Sequence, residues 1–569
     1  MSFIAANIAP IMFGSLLLFL LTGFPVAFAL AATGMSVGWL AVELGIVPSQ
    51  FFNALPLRLY GIMSNDVLLA IPFFTFMGLI LERSRMAEDL LDTIGQVFGP
   101  VRAGLAIAVI LVGAMLAATT GVVAASVISM GLISLPIMLR YGYSRPLAAG
   151  VITASGTLAQ IIPPSLVLIV IADQLGQSVG DMYKAAFIPA FMLVGIFVVA
   201  MLILAMVRPN WVPALPPEAL IHHEANGNSG HKSLAILTLA SIIVGQQTFT
   251  HWAAIKIRLG ANPTSDTPTD ERVVMALMVG IFFAWLVAVI DRLLRANLLS
   301  ALARQVTFVL IPPLLLVFLV LGTIFLGIAT PTEGGAMGVA GALVMALSRK
   351  RLSGSLLKQA LDSSARLSIF VLFVLIGSTI FALTFQAIDG PVWVKALFKA
   401  LPGGELGFLL FVNLLVFGLG CFLDFFEIAF ILLPLLLPVL KEMDINLVWF
   451  GVMIALNLQT SFLTPPFGFA LFYLRSVAPK TEYVDKVTRQ RIPAFKTGDI
   501  YRGAIAFVVL QIIMVAGVIW KPEIVMYGLG EVKVLDVERV NLNITPQDEE
   551  EEPPPGFGPA KPPAAAPQQ

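Results

Sequence analysis

The sequence is short of the residues on which most hydrolases and metalloproteins depend. Among 569 residues there are one cysteine, Cys421, and four histidines, and only 12% of the side chains are charged. A single cysteine excludes an intrachain disulfide. Neither a His-Glu-x-x-His nor a Gly-x-Ser-x-Gly sequence occurs, so these two enzyme signatures are missing. We therefore expect no enzyme, no cofactor and no nucleic-acid partner.

Hydrophobic residues, in contrast, dominate the chain. They make up 58% of it, and the mean hydropathy is +0.93. This composition is typical of a polytopic helical membrane protein and not of a soluble globule. No Lys or Arg precedes Arg58, which disfavours a signal peptide and predicts an N-terminus outside the cytoplasm. The basic clusters at 82–85 and 348–351 predict cytoplasmic loops, and counting crossings from them places the C-terminal tail outside as well.

Two apolar runs each contain a double proline. The first reads Ser-Gly-Thr-Leu-Ala-Gln-Ile-Ile-Pro-Pro-Ser at 155–165, and the second reads Asn-Leu-Gln-Thr-Ser-Phe-Leu-Thr-Pro-Pro-Phe at 457–467. Proline removes a backbone donor and breaks a helix, so each run is predicted to be two half-helices separated by an unwound joint. Unwound backbone at membrane depth survives only where protein buries it or where it lines a cavity, as at the ion sites of secondary transporters.

The spacing of the prolines indicates an internal duplication. Pro164 and Pro466 are 302 residues apart, and so are Pro136 and Pro438. A chance match of proline pairs is the alternative. Equal offsets at two separate landmarks favour a repeat, which covers at least 118–172 and 420–474.

Each repeat is predicted to hold a re-entrant hairpin before its broken helix. The apolar stretch 103–139 is interrupted by Thr119-Thr120-Gly121 and has basic residues at both ends, so both ends are expected on the cytoplasmic side. The stretch 407–440 is the corresponding hairpin of the second half. The hydroxyls at the first tip either allow close helix packing or join the carbonyls of the following joint around a hard cation such as Na⁺.

The histidines His222, His223 and His231 are irregularly spaced, so a solvated loop is favoured over a metal site.

The predicted organisation has five parts. The parts are a first repeat at 1–207 (scaffold helices, a surface arm, the hairpin 103–139 and a broken helix at 147–172), an insert at 208–305 with two extra transmembrane helices, a second repeat at 306–476 (scaffold helices, an arm, the hairpin 407–440 and a broken helix at 447–474), a cytoplasmic segment and last transmembrane helix at 477–520, and a disordered tail at 521–569.

Three carboxylates lie in or next to apolar segments. Asp424 and Glu427 interrupt the second hairpin, and Glu333 follows Thr-Pro-Thr at 330–332. Carboxylates within a membrane are costly and are functional candidates by default. We favour a functional role for Asp424 over a structural polar contact, whereas Glu427 is evenly balanced between the two. Glu333 is either functional or a cap in the first turn of the following helix.

Five motifs occur together in this chain, namely Thr120-Gly121, the Ile-Ile-Pro-Pro-Ser at 161–165, Thr330-Pro-Thr-Glu333, Gly420-Cys-Phe-Leu-Asp424 and Thr464-Pro-Pro-Phe-Gly468. Together they resemble the large membrane subunit, DctM, of the tripartite ATP-independent periplasmic (TRAP) transporters. The resemblance covers nearly the whole chain except the insert and the tail. The long form with an insert resembles the mannitol/chloroaromatic branch, some members of which carry 2-oxo acids.

The resemblance implies an all-α inverted-repeat elevator in the bacterial inner membrane, in which hairpins and broken helices move as a transport domain against a scaffold. It also implies a small four-helix membrane subunit and a periplasmic solute-binding protein as partners. The substrate would be an organic anion, a carboxylate such as a 2-oxo acid or a C4-dicarboxylate, and Na⁺ the coupling ion.

The resemblance also implies site residues. The family usually has Ser-Gly-Ser at the first tip, where this chain has Thr120-Gly121-Val122 and therefore lacks the second hydroxyl. By motif position, the sodium sites fall on Thr120, Ala159, Ile162, Pro164, Phe422, Ser461, Thr464 and Pro466. The expected substrate contacts are Thr119, Gln160, Ser165, Asp424 and Thr460.

Two other functions remain as alternatives. A proton-coupled organic-anion carrier that works without a binding protein is the nearest, because Asp424, Glu427 and Glu333 could relay protons. A channel is the other, although a channel does not need two inverted hairpins. Saturable uptake with strict sodium dependence would separate a transporter from a pore.

Overall fold

In the computed structural model the described residues form a bundle of helices with one short two-stranded hairpin, β1 (Tyr483–Val484) paired antiparallel with β2 (Arg491–Ile492). Short 3₁₀ turns lie at Ser49–Ala54, Asp66–Leu69, Leu158–Gln160, Pro209–Trp211, Pro217–Ala219 and Tyr527–Leu529. The structure describes residues 2–219, 230–258, 267, 269–295, 298–399, 401–485 and 487–529.

The α-helices follow one another along the chain with mostly short connections. Residues 2–219 form α1 (Ser2–Ala6), α2 (Ile8–Leu21), α3 (Val26–Glu43), α4 (Leu55–Met63), α5 (Ala70–Arg83), α6 (Met86–Phe98), α7 (Gly104–Thr120), α8 (Val123–Arg140), α9 (Arg145–Thr157), α10 (Leu166–Leu175) and α11 (Val179–Val207). Two helices follow, α12 (His231–Arg258) and α13 (Thr269–Leu294). The remainder forms α14 (Ala301–Phe325), α15 (Pro331–Ser348), α16 (Gly354–Ala387), α17 (Gly390–Lys399), α18 (Gly404–Leu419), α19 (Phe425–Glu442), α20 (Leu447–Phe462), α21 (Phe469–Val477), α22 (Thr497–Trp520) and α23 (Glu523–Met526).

Many of these helices suit a membrane. Within the described part of the chain, eight are long and apolar enough to cross one, namely α3, α8, α11, α12, α13, α14, α16 and α22. The segments Ser49–Met63 and Asp66–Arg83 form a further apolar pair that is bent by 46°. The all-α polytopic fold class predicted from the sequence is thus confirmed.

The two halves of the chain pack against each other reciprocally. In sequence order, α3, α5 and α7–α11 of the first half correspond to α15, α16 and α18–α22 of the second. Helix α3 packs on α16 while α5 packs on α15; likewise α8 packs on α21 while α10 packs on α19, and α9 on α22 while α11 packs on α20. Such an exchange of partners is what an approximate two-fold axis between the halves produces.

Glycines allow the closest of these contacts. A β-carbon on Gly150 of α9 would lie 2.3 Å from the carbonyl oxygen of Gly503 in α22, and one on Gly503 would lie 1.8 Å from Pro146 O. Both distances are far inside van der Waals contact, so neither glycine tolerates a side chain there. Small residues at helix crossings bring backbones together in membranes, where apolar burial gives no net drive for association.

The basic clusters at 82–85 and 348–351 come together at one end of the bundle. Asp89 in α6 binds Arg349 and Arg351, with N–O distances of 2.8 Å to each. Arg351 also donates to the carbonyl oxygens of Ser84 and Arg85. The two clusters therefore share one side of the protein, as two loops on the same membrane face should.

Several segments differ from the sequence expectations. Helix α4, which has no buried residue, was not expected, because its nine residues are too few for a clear apolar period. The last long helix begins at Thr497, well before its apolar core. Residues 523–529 were expected to belong to a disordered tail but form helical turns, and the Val525 side chain is fully buried; the tail beyond 529 lies outside the described residues.

Candidate functional site

The first joint lies in the interior of the protein. Helix α9 ends at Thr157, a 3₁₀ turn covers 158–160, and α10 resumes at Leu166 after a cis peptide bond between Pro163 and Pro164. Every residue from 155 to 165 is buried. Ser165 closes the joint, because its hydroxyl donates to Gln160 O at 2.7 Å and accepts from Val167 N at 3.2 Å, which caps α10. The double proline thus breaks the helix where the sequence predicted, and the unwound backbone is buried within the protein.

The first hairpin tip contains buried hydroxyls. Thr119 and Thr120 both donate to Leu116 O, at 3.0 and 2.8 Å. Ser126, from the next helix, places its Oγ 2.8 Å from Thr120 Oγ1. Gly121 turns the chain with a φ of +60°, a left-handed conformation that glycine adopts without strain. The three hydroxyl side chains are therefore buried and are hydrogen-bonded within the hairpin.

The first tip and the first joint meet. A β-carbon on Gly121 would lie 3.3 Å from Leu166 Cγ, 3.5 Å from Leu166 N and 3.6 Å from Pro164 O. Helix α5 also contacts the tip, since a β-carbon on Gly78 would lie 2.5 Å from Thr120 Cα and 2.9 Å from Thr120 O. The end of α7, the starts of α8 and α10 and the carbonyls of the joint are thus gathered in one place, which α5 covers.

The second half repeats this arrangement with greater exposure. Gly420 at the end of α18 lies directly on the second joint, since a β-carbon there would be 2.2 Å from Ser461 Oγ. The rings of Phe422 and Phe467 connect tip and joint with centroids 4.9 Å apart. Phe422 is 62% exposed and Phe467 is 46% exposed. As in the first joint, the peptide bond between Pro465 and Pro466 is cis.

The candidate sodium residues therefore fall into two groups with different surroundings. Thr120, Ala159, Ile162 and Pro164 are all buried at the first tip and joint. In the second group Ser461 is buried, Thr464 is intermediate, and Phe422 and Pro466 are exposed. Thr464 Oγ1 donates to Thr460 O at 2.9 Å, while Thr460 itself donates to Leu456 O at 3.0 Å. Each group offers backbone carbonyls and hydroxyls, which are ligands suited to a hard cation.

The carboxylates act first as helix caps. Glu427 Oε2 accepts from the backbone N of Asp424 at 2.9 Å, so the pair closes the start of α19. Glu333 Oε2 accepts from Thr330 N at 2.8 Å and from Thr330 Oγ1 at 3.0 Å, which completes a capping box at α15. Glu333 is exposed, and this geometry favours the capping alternative for it. Asp424 is only partly buried and lies at the second tip.

Gln160 has an unusual environment among the candidate substrate contacts. Its side chain is fully buried, yet neither Oε1 nor Nε2 has a hydrogen-bond partner among the described residues. Leaving a buried polar atom unpaired costs about 1–3 kcal/mol. An amide held in this way beside a broken helix is suited to bind a polar ligand.

Two tyrosines that the sequence reasoning missed support the joints. Tyr183 donates from its hydroxyl to Ser165 O, and Tyr501 donates to Pro466 O, each at 3.3 Å. They are separated by 318 residues and lie four residues into α11 and α22. Residues 478–496 lengthen the second half before α22, so an alignment at the offset of 302 does not pair the two tyrosines.

The base of the first hairpin is fixed by an ion pair. Arg140 at the end of α8 binds Asp485, with Nη2 3.0 Å from Oδ1 and Nε 3.1 Å from both carboxylate oxygens. Asp485 also accepts from Thr488 N at 2.8 Å. Burial by itself raises the pKa of Asp485, but the hydrogen bonds from Thr488 and Arg140 outweigh it and lower this pKa to about 2.

The two described histidines of the insert, His231 and His251, make their contacts outside these clusters. His231 Nε2 lies 3.0 Å from Val97 O, and His251 Nδ1 lies 3.0 Å from Gln247 O. His222 and His223 lie outside the described residues. Among the described residues, no group of three or more His, Cys, Asp or Glu side chains is arranged to hold a metal ion.

Two related halves of membrane helices, each with a hairpin tip on a broken-helix joint, define a permease of the secondary-transport class. The model of the DctM component of the tripartite ATP-independent periplasmic transporters matches residues 13–260 and 271–524. The chain therefore belongs to this family of TRAP large permeases and is a transport protein, not an enzyme. The match also runs through most of the segment 208–305, which was expected to lie outside the resemblance.

Individual relatives agree with this membership. The C4-dicarboxylate TRAP transporter large permease protein DctM of Pseudomonas aeruginosa is 27% identical over 426 residues, which are 75% of this chain and 81% of that protein. The C4-dicarboxylate TRAP transporter large permease protein DctM of Rhodobacter capsulatus is 25% identical, over 82% of this chain and 89% of that protein. The sialic acid TRAP transporter permease protein SiaT of Haemophilus influenzae is 21% identical, over 81% of this chain and 62% of that protein. Among solved structures, the YdaH transporter of Alcanivorax borkumensis is similar with a TM-score of 0.47 and 12% identity, over 84% of this chain and 88% of that one.

Proposed function

We propose that this permease couples the inward movement of Na⁺ to the import of an organic anion, as the large subunit of a tripartite secondary transporter. The observation that carries the proposal is the pairing of each hairpin tip with a broken-helix joint. At both pairs, tip backbone approaches joint backbone or hydroxyl within contact distance. The eight candidate sodium residues offer carbonyl and hydroxyl oxygens and no carboxylate, which suits a monovalent cation better than a divalent one.

The substrate proposed is a small carboxylate. The relatives' names refer to C4-dicarboxylates and sialic acid, which share the carboxylate group. Half-helix N-termini at Leu166 and Phe469 supply backbone N–H groups and the positive end of a helix dipole, both of which attract an anion. Gln160, Ser165 and Thr460 lie beside these half-helices, Thr119 lies at the first tip and Asp424 at the second. A 2-oxo acid and a C4-dicarboxylate both satisfy this chemistry.

The partners proposed are a small four-helix membrane subunit and a periplasmic solute-binding protein. Apart from loops and the short β1–β2 hairpin, the described residues form membrane helices and surface arms, and they include no soluble domain that would capture a solute. The arms α6 and α17 flank the two hairpins, with α6 packed on α7 and α17 packed on α19. We place the arms in a scaffold against which the hairpins and broken helices move as an elevator. We also place both termini in the periplasm, because the crossings counted from the basic loops end there.

Uptake into proteoliposomes tests the proposal. The permease is reconstituted with its small subunit, and the binding protein loaded with its carboxylate is added outside. We expect accumulation under an inward Na⁺ gradient, and none when Na⁺ is replaced by choline or when the binding protein is omitted. Equal uptake under a proton gradient without Na⁺ would instead identify a proton-coupled carrier, in which Asp424 and Glu427 would be the groups to examine.

A further inference from the structure

A further buried polar cluster lies between the two halves, where helices α9 and α20 lead into the two joints. Thr157 ends α9, Gln459 lies in the last turn of α20, and Gln511 lies within α22. Thr157 and Gln459 are 0% exposed and Gln511 is 1% exposed. Both glutamines place Nε2 3.5 Å from Thr157 Oγ1, which is the outer limit of a hydrogen bond.

The position of this cluster follows from the repeat. Thr157 and Gln459 are 302 residues apart, the same offset that relates the two joints, so each occupies the place of the other in its half. Two equivalent positions can touch only at the axis that relates the halves. The cluster thus lies on the approximate two-fold axis, and Gln511 is its third member.

The protein cannot satisfy the polar atoms of this cluster by itself. The Oε1 atoms of Gln459 and Gln511 have no hydrogen-bond partner among the described residues. Turning either amide around would bring its oxygen to Thr157 Oγ1, but that hydroxyl already donates its proton to Ala154 O at 2.9 Å. In either orientation each amide keeps an unpaired atom in a fully buried place, at a cost in stability.

The surroundings favour a cation as the missing partner. Helices α9 and α20 both end at the cluster, and the C-terminal end of a helix carries a partial negative charge. With both amides turned so that Oε1 faces Thr157 Oγ1, three neutral oxygens meet with no hydrogen between them, because the threonine proton is donated to Ala154 O. Such hard ligands without a carboxylate suit a monovalent ion and disfavour Ca²⁺ or Mg²⁺. We propose that Thr157, Gln459 and Gln511 bind a monovalent cation, in addition to the two sodium sites at the tips and joints.

The role of this ion in coupling rests on the proposed function, but its binding is testable apart from transport. An ion that binds only the folded protein raises the unfolding temperature with the logarithm of its concentration, in proportion to the number of ions bound. The purified chain in nanodiscs is therefore unfolded thermally across a range of Na⁺ concentrations, with choline keeping the ionic strength constant. Gln511→Leu keeps the bulk of the side chain and removes the ligand, and Gln247→Leu, on the exposed surface of α12, is the matched control.

We expect Gln511→Leu to lose about one third of the wild-type slope, because one of roughly three ions is lost, while Gln247→Leu keeps the full slope. Gln511→Glu adds a negative charge, so it should keep the slope. It should also lower the half-saturating Na⁺ concentration by about tenfold or more. An unchanged slope in Gln511→Leu overturns the proposal, because the cluster would then hold a buried water and no ion. If the leucine variant fails to fold, the glutamate variant decides. A half-saturating Na⁺ concentration that is the same in Gln511→Glu and in the wild type then overturns the proposal. A wild-type chain with no Na⁺-dependent slope would contradict both this site and the sodium sites of the proposed function, whereas a wild-type slope that Gln511→Leu leaves unchanged contradicts this site alone.

Discussion

Gly78 allows the most direct test of how the first tip is held. Gly78→Ala places a methyl group 2.5 Å from Thr120 Cα and 2.9 Å from Thr120 O. These are backbone atoms, so either the tip or α5 must shift. Forcing an extra methyl group into a packed contact costs about 1–3 kcal/mol. If Thr120 ligates Na⁺, a displacement of this cost corresponds to a roughly 5- to 150-fold weaker apparent sodium affinity.

The assay is uptake in proteoliposomes against Na⁺ concentration, with equal insertion verified for each variant. Gly195→Ala in α11 is the matched control, because a β-carbon there meets no atom within 4 Å and alanine is the better helix former. The expected result is a raised half-saturating Na⁺ concentration in Gly78→Ala and no change in Gly195→Ala. The same sodium dependence in both variants would refute the assignment of Thr120 to an ion site.

Four further tests address other parts of the structure. Asp424→Asn should lower the apparent affinity in uptake by roughly ten- to a hundredfold, since a charged hydrogen bond is worth about 1.5–3 kcal/mol. Thr120→Val should weaken the dependence of uptake on sodium, and Ser461→Ala should have a mild effect. Uptake by Asp424→Asn equal to that of the wild type would contradict this assignment. Asp485→Asn should lower stability by about 1–2 kcal/mol at neutral pH. Because the pKa of Asp485 is depressed to about 2, its contribution is complete above the unfolded value near 4 and is lost as the pH falls through about 2, so the wild-type and variant unfolding temperatures should converge in acid; a constant difference would argue against it. Phe422→Cys in a Cys421→Ser background should react readily with a membrane-permeant thiol reagent, and Na⁺ with substrate should slow that reaction; an unreactive thiol would contradict the exposure of the tip. Transport should survive the joint replacement of three histidines, which are His222, His223 and His231.

The sequence was sufficient for features that depend on local chemistry. Proline cannot continue a helix, so the joints before Pro164 and Pro466 follow from the chain alone. Gly121, next to threonines in an apolar run, similarly marks the first tip. The equal offsets of 302 residues identified the repeat, and the reciprocal packing of the helices has the pattern that such a repeat predicts.

Features that depend on contacts between distant segments did not follow from the sequence. Gly78 reads as an ordinary small residue in a helix until its contact with Thr120 is known. Gln511 has no counterpart at the repeat offset, and only the crossing of α9, α20 and α22 brings it to Thr157. Nothing local distinguishes a glutamine that faces a buried axis from one that faces a loop, because helical periodicity in an apolar helix is weak on every side.

The two tip and joint pairs are equivalent by sequence but differ in their cover, and this difference bears on transport. Helix α5 lies on the first tip through Gly78, whereas Phe422 at the second tip is 62% exposed. Helix α16 corresponds to α5, and it packs on α19 of the second hairpin. In a protein made of two equivalent halves, exchanging the conformations of the halves gives a second state of similar energy. In that state α16 would cover the second tip and α5 would release the first, and the protection of a thiol at position 422 by Na⁺ and substrate would report the exchange.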